Sequence, residues 1–127
     1  MSRPSARELT ERELEVMHVF WTYGEMTAAD ARDHLSQIGL DRAYVTVANL
    51  VRILLEKGFL RQVSEERPYR YISARSFDDV SRRFVRDLLD RVFRGSREDL
   101  LVKVLGEKRL TVRERALLQQ VLKDGNK

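Results

Sequence analysis

A mainly α fold with one small β element, an α+β arrangement overall, is what this 127-residue sequence predicts. Three observations carry that prediction. In segment after segment, apolar residues recur at helical spacing between a polar opening residue and a glycine or polar stop. One stretch, 59–73, instead alternates apolar and polar residues on either side of a polar linker that holds Pro68. Before it come a short helical pattern, a brief turn and a longer helical pattern, the spacing that a helix-turn-helix requires. Residues 1–75 are therefore predicted to form a winged helix-turn-helix of three helices with a small β-wing. Residues 76–127 are predicted to form a three-helix dimerisation domain.

Composition narrows the function. With 43% apolar residues the chain can bury a real core. It contains no cysteine, which excludes disulfides, thiolate metal sites and cysteine nucleophiles. Its apolar runs are too short for a bilayer and no charged-then-apolar leader opens it, so a cytoplasmic protein with no membrane partner is expected. Two histidines, no glycine-rich phosphate loop and no metal-spaced carboxylates argue against an enzyme, a metal or a cofactor. The net charge of +4 hints only weakly at an anionic partner. Its distribution says more: residues 1–39 hold 4 basic and 7 acidic groups, whereas residues 40–75 hold 7 basic and 4 acidic.

Residues 1–9 show little periodicity and suggest a mobile arm. Thr10-Glu11-Arg12-Glu13 is a capping box. Leu14, Met17 and Trp21 then recur at helical spacing, Val16 and Phe20 widen the stripe, and Gly24 stops it. Trp21, the only tryptophan, reads as a core plug, and His18 as a partly buried packing residue. Thr27-Ala28-Ala29-Asp30 repeats the capping pattern and opens a short helix to about Gln37, with Ala28, Ala31 and Leu35 apolar. Met26–Thr27 can pair with the wing as a tiny third strand. Thr27 and the first amides of this helix present positive partial charge, which suits a DNA phosphate.

Ile38-Gly39-Leu40 turns the chain into Asp41–Leu60, the stretch on which the rest is organised. Asp41 is expected to cap it, and Gly58 to end it in a left-handed conformation. Val47, Leu50, Val51 and Leu54 fall on one face. The opposite face holds Val45, Asn49, Arg52 and Glu56, flanked by Thr46, Ala48 and Ile53. Core helices usually carry long charged residues outside; the middle of this face is small or uncharged. Such residues let a helix approach another surface, and Asn, Thr and methyl groups can all read base edges. In the hairpin that follows, Leu60, Val63, Tyr69 and Tyr71 are the expected packed face.

Beyond Arg75, Ser76-Phe77-Asp78-Asp79 opens a long helix to about Arg94, where Gly95 breaks it. Ser96 starts another that ends at Gly106, and Thr111 starts the last. Each has a strong apolar stripe, yet three such helices bury too little surface alone. An isologous dimer would complete the core. Phe84, Leu88, Val92, Leu101, Val104, Leu105, Leu117, Leu118 and Val121 are the residues expected at that surface. The alternative folds these helices back on the chain's own first half.

With these residues in view, the chain from about Leu9 to Leu122 resembles the BlaI/MecI/CopY family of penicillinase-type repressors. The run L-T-E-R-E-L-E-V-M-H-V-F-W at 9–21 is similar to that family's opening helix, and Thr27–Ala31 to the start of its second. A-Y-V-T-V-A-N-L-V-R-I-L-L-E-K-G-F-L at 43–60 is similar to its recognition helix and Lys-Gly turn. Tyr69-Arg70-Tyr71 on the wing and the break at Gly95 also match. The resemblance implies a homodimer that sits on a palindromic double-stranded DNA operator and blocks transcription. It places base contacts on Thr46 and Asn49, with Arg52 nearby. By the helical wheel, Arg42 and Tyr44 sit at the helix start, where phosphates pass. Arg67 and Arg70 on the wing are further phosphate candidates.

Three departures stand out. Ala48 and Ile53 occupy positions where the family often carries basic residues, which points to a different operator sequence. Family members that answer to β-lactams are cleaved at an Asn-Phe bond, where this chain has Lys103-Val104. A signalling protease therefore stays an unknown partner. Copper-responsive members carry paired cysteines, absent here. The rival to DNA binding is a winged helix used as a protein-interaction module. Val45 and Ile53 lean toward that rival; Arg42, Asn49, Arg52 and the wing arginines lean toward DNA.

Overall fold

A computed structural model describes residues 9–107 and 109–125. In chain order the elements are α1 (Glu11–Tyr23), β1 (Met26–Thr27), α2 (Ala28–Gln37), α3 (Tyr44–Glu56), β2 (Leu60–Gln62), β3 (Arg70–Ser73), α4 (Phe77–Arg91), α5 (Arg97–Gly106) and α6 (Val112–Gly125). The chain divides into two compact units, one reaching Arg86 and the other starting at Asp87.

The first unit is a mainly α winged helix-turn-helix. α1 opens on the expected box: the Thr10 hydroxyl accepts from the Glu13 amide at 3.2 Å, and the Glu13 carboxylate accepts from the Thr10 amide at 2.7 Å. Thr27 and Asp30 do the same for α2, at 3.1 Å in both directions. α3 departs from expectation. Its cap position is Ala43, with no side-chain cap bond, because the helix starts later than Asp41 can serve. A capping oxygen reaches amides two or three residues ahead. Asp41 instead accepts from the Ser36 hydroxyl at 2.8 Å, fastening the turn between α2 and α3. The other end is as expected. Gly58 adopts φ +83°, the Phe59 amide donates to the Leu54 carbonyl at 2.9 Å, and the Gly58 amide to Leu55 at 3.1 Å. That double bond pattern satisfies the last carbonyls of the helix and turns the chain into the wing.

The sheet is antiparallel in the order β1-β3-β2, so the tiny strand expected at Met26–Thr27 is present. Tyr71 lies opposite Met26 on one side and Gln62 on the other. The strands are shorter than the alternating pattern suggested. Leu60 is buried and Tyr71 packs half-buried on the core, but Val63 is 41% exposed and Tyr69 lies outside β3. With strands of 3 and 4 residues, only the end of the hairpin nearest α3 lies over the core.

The core draws Val16, Met17, Val19 and Phe20 from α1, Ala28, Ala31 and Leu35 from α2, and Val47, Val51 and Leu54 from α3. Phe59, Leu60 and Val80 close it. The buried stripe of α1 is thus centred on Val16, Val19 and Phe20. Leu14 and Trp21, expected at its middle, pack at its edge. Trp21 is only half-buried; its indole N–H donates to the Arg75 carbonyl at 2.8 Å. Its ring meets Phe77 edge-on with centroids 5.4 Å apart. His18, expected partly buried, is exposed and joins the same cluster, 5.2 Å from Trp21. The reason is angular: at about 100° per residue the centre of the buried face lies roughly a third of a turn from the Leu14–Met17–Trp21 stripe, and Met17 is common to both.

One buried charge accompanies this core. Glu13 is 2% exposed and accepts from the Lys57 ammonium at 3.0 Å through both carboxylate oxygens. Burial pushes its carboxyl up, but the Thr10 amide, the Lys57 ammonium and the Thr10 hydroxyl outweigh that and hold it below its ordinary value.

Each helix start of the second unit is capped. The Ser96 hydroxyl accepts from the Asp99 amide at 3.1 Å, and Thr111 and Glu114 form a reciprocal box at 3.0 and 2.8 Å. Arg94 and Gly95 both take positive φ at the break after α4, at 50° and 85°. None of the described residues from Asp87 onward is buried. Val92, Leu101, Val104 and Leu117 are more than half exposed. Phe84, expected among the dimer-forming residues, lies in the first unit and packs half-buried against its core. Lys103-Val104 falls inside α5.

Candidate nucleic-acid interface

The outward face of α3 runs Val45, Asn49, Arg52, Glu56, all exposed, as the helical wheel places them. Tyr44 at the helix start is 49% exposed and Val45 68%. Asn49 has no hydrogen-bond partner for its amide among the described residues. Thr46 and Ile53 are half-buried on the flanks, and Ala48 turns further in, packing against the core. Arg52 donates to Glu56 at 2.8 Å, an exposed pair one turn apart.

Beside this face lies a groove of about 500 Å³, lined by Ala28 and Ala29 at the start of α2, Tyr44 of α3, and Arg67, Tyr69 and Tyr71 of the wing. Three expected site residues, Thr27, Tyr44 and Arg67, converge there. Thr27 itself is 9% exposed, and its hydroxyl is committed to the Asp30 amide. Its contribution is to fix the helix start. Asp30 stays ionised at that start: the Thr27 amide lowers its pKa, burial opposes, and the Thr27 hydroxyl with the charges of Arg70 and His34 adds to the lowering. The carboxylate offsets part of the positive end of the α2 dipole. Arg67 is exposed at the wing tip, with its guanidinium 5.5 Å from the Tyr69 ring centre. Burial, then the nearby Tyr44 and Tyr69 phenols, pushes the Tyr71 hydroxyl up, so it remains a neutral donor.

The other arginines are engaged. Arg42 donates to both oxygens of Glu15 at 3.1 Å, with side chains only 24% and 20% exposed. Arg70 donates to the Glu25 carboxylate at 2.7 Å and to its carbonyl at 3.3 Å. With Lys57 on Glu13, three basic residues of 40–75 are matched by acids from the first 39. The opposite charges of those two segments therefore meet within the fold, and little of the segmental excess faces outward. Arg61, which sequence reasoning passed over, is exposed on β2 with no acidic partner among the described residues. Its place in the alternation of the first wing strand, opposite Ile72, was the available signal. Tyr69 and Tyr71, expected on the packed face of the hairpin, also line the groove.

Comparison with known proteins fits this architecture. An uncharacterised 16.5 kDa protein encoded in the ptsI 3′ region of Latilactobacillus sakei is 25% identical over 118 residues, covering 93% of this chain and 80% of that protein. Among solved structures, hsRosR-SG in a complex superposes with a TM-score of 0.54 at 13% identity, covering 97% of this chain and 96% of that one. RosR of H. salinarum grown from NaBr gives 0.52 at 14% identity, with 95% and 96% covered. At such identities the likeness is one of fold. The family assignment rests on the sequence itself, where residues 9–124 match the penicillinase repressor model, so the chain belongs to the penicillinase repressor family of DNA-binding transcriptional repressors.

Proposed function

We propose that the protein is a homodimeric repressor acting on an inverted-repeat operator, with residues 1–75 as the DNA-binding domain and 76–127 as the dimerisation domain. The carrying observation is the outward face of α3, small and uncharged where Val45 and Asn49 stand, with the wing groove beside it. In this reading α3 enters the major groove, with Asn49 and Thr46 toward base edges and Arg52 beside them. Tyr44, Arg67 and the start of α2 at Thr27 follow the phosphates. Arg42 and Arg70 act chiefly as braces that hold α3 and the wing on α1 and its following loop, since each already has a carboxylate partner. Dimerisation is supported by the uncovered stripe of Leu88, Val92, Leu101, Val104, Leu105 and Val121. A cytoplasmic location accords with operator binding; among the described residues no helix is long and apolar enough to cross a membrane.

Selection of bound duplexes from a random DNA library tests this. The expected product is an inverted repeat with half-sites about one helical turn apart. Asn49→Ala should then cost about 1–3 kcal/mol on the selected site and relax its sequence preference. A second reading, a protein-interaction module, is favoured by the 68% exposure of Val45. Failure to enrich any sequence, with weak and steeply salt-dependent binding, would point to that module or to a missing ligand instead of the operator reading.

A further inference from the structure

We infer that Val45 is a specificity-determining residue that reads the 5-methyl group of a thymine, and this rests on the operator reading of α3. Val45 is the second residue of α3 and stands 68% exposed, outside the core that Val47, Val51 and Leu54 supply. A valine is a poor choice for an exposed first helical turn, where small polar or acidic residues are favoured and β-branching restricts the side chain. Among the described residues, Val45 belongs neither to the core nor to the half-buried apolar residues packed against it. Scattered apolar residues on a surface are ordinary. What sets this one apart is its place on one strip of helix with Asn49, one turn farther on, whose amide has no hydrogen-bond partner among the described residues.

The chemistry of the strip is that of an A·T-rich edge. An Asn amide matches the N6 donor and N7 acceptor of adenine, and a branched aliphatic side chain matches the thymine methyl, the one apolar group on the major-groove edge. Val45 and Asn49 are four residues apart, about 6 Å along the helix axis. A base-pair step rises about 3.4 Å, so the thymine lies within about two steps of the adenine bound by Asn49. In a helix the valine side chain is held in one dominant rotamer, so the methyl pair is positioned before contact.

The test uses the full-length protein and the operator obtained by selection. Each thymine of one half-site is replaced singly by deoxyuridine, which removes the 5-methyl group and leaves every hydrogen-bonding atom in place. Wild type and Val45→Ala are titrated on each duplex, with helix content checked by circular dichroism. One thymine should be methyl-sensitive for wild type, with deoxyuridine weakening binding about three- to five-fold. Val45→Ala should bind the thymine duplex weaker by a similar factor and no longer distinguish thymine from deoxyuridine there. Methyl sensitivity that persists undiminished in Val45→Ala, or its absence at every thymine, overturns the inference. Failure to select an operator at all overturns the reading beneath it instead, so the two failures are separable.

Discussion

The two units of this chain are built from the same local parts and end in opposite conditions. Both have helices opened by reciprocal hydroxyl–carboxylate caps, at Thr10 and Thr27 in the first and at Thr111 in the second. Both carry apolar residues at helical spacing. Yet in the first unit α1, α2, α3 and the sheet all contribute buried side chains, whereas from Asp87 on none of the described residues is buried. Caps and periodicity specify helices; a closed core needs a second layer to set against each apolar face. The first unit supplies its own layers. In the second, no described residue is buried against such a layer, and the proposed dimer would supply one.

That contrast can be broken or sharpened by experiment. The largest effect is expected from Phe20→Ala, at the centre of the first core and 1% exposed. It should lower stability by about 3–5 kcal/mol in urea unfolding. A loss below 1 kcal/mol would show the core to be far looser than described. Next comes Leu117→Glu in α6, where Leu117 is 58% exposed. It should weaken self-association at least about tenfold, or 1.4 kcal/mol, by analytical ultracentrifugation, and leave the first unit's unfolding midpoint unchanged at low concentration. Equal loss in both properties would merge the two units energetically.

Glu13→Ala should cost about 1–3 kcal/mol, because it removes a buried carboxylate that accepts from the Thr10 amide and the Lys57 ammonium. The same carboxylate sets a pH dependence. Its native pKa is lowered, so its contribution is complete above its ordinary value of 4.5 and fades as the pH falls through the native value. Stability measured from pH 6 downward should show this decline in wild type and a flatter profile in Glu13→Gln; parallel profiles would remove the pair from the account. The smallest effect belongs to Arg52→Ala. With Arg52 and Glu56 60% and 65% exposed, losing that pair should cost only about 0.3–0.5 kcal/mol of stability. Stability loss above 1 kcal/mol would mean that Arg52 braces the fold rather than facing DNA.

Much of the first unit was legible because its signals are local. The Thr10 and Thr27 boxes, the Gly58 stop and the outward strip of Val45, Asn49, Arg52 and Glu56 all follow from neighbours within one or two turns. The cap assigned to Asp41 failed for a local reason too: two residues, Arg42 and Ala43, separate it from Tyr44, and Ser36 reached it first. What sequence could not carry was partner choice at a distance. Arg42 and Glu15 lie 27 residues apart, Lys57 and Glu13 44, Arg70 and Glu25 45. The basic balance of 40–75 therefore gives modest support to DNA binding in the sequence, whereas much of it is matched by acids of α1 and the loop after it. The site was legible as a helix face, but the groove beside it required Tyr44, Tyr69 and Tyr71 to be brought together by the fold.

The sole tryptophan of the chain has a consequence for how the protein can be observed. Trp21 holds its indole N–H on the Arg75 carbonyl and its ring edge-on to Phe77, where β3 gives way to α4. Its emission is therefore a native optical probe of that junction, with no label and no second tryptophan to dilute the signal. Any change that loosens the start of α4 from α1 frees the indole to water and should shift its emission to the red. Titrating operator DNA into the unmodified protein thus reports whether the junction moves when α3 is engaged, in the same cuvette that measures binding.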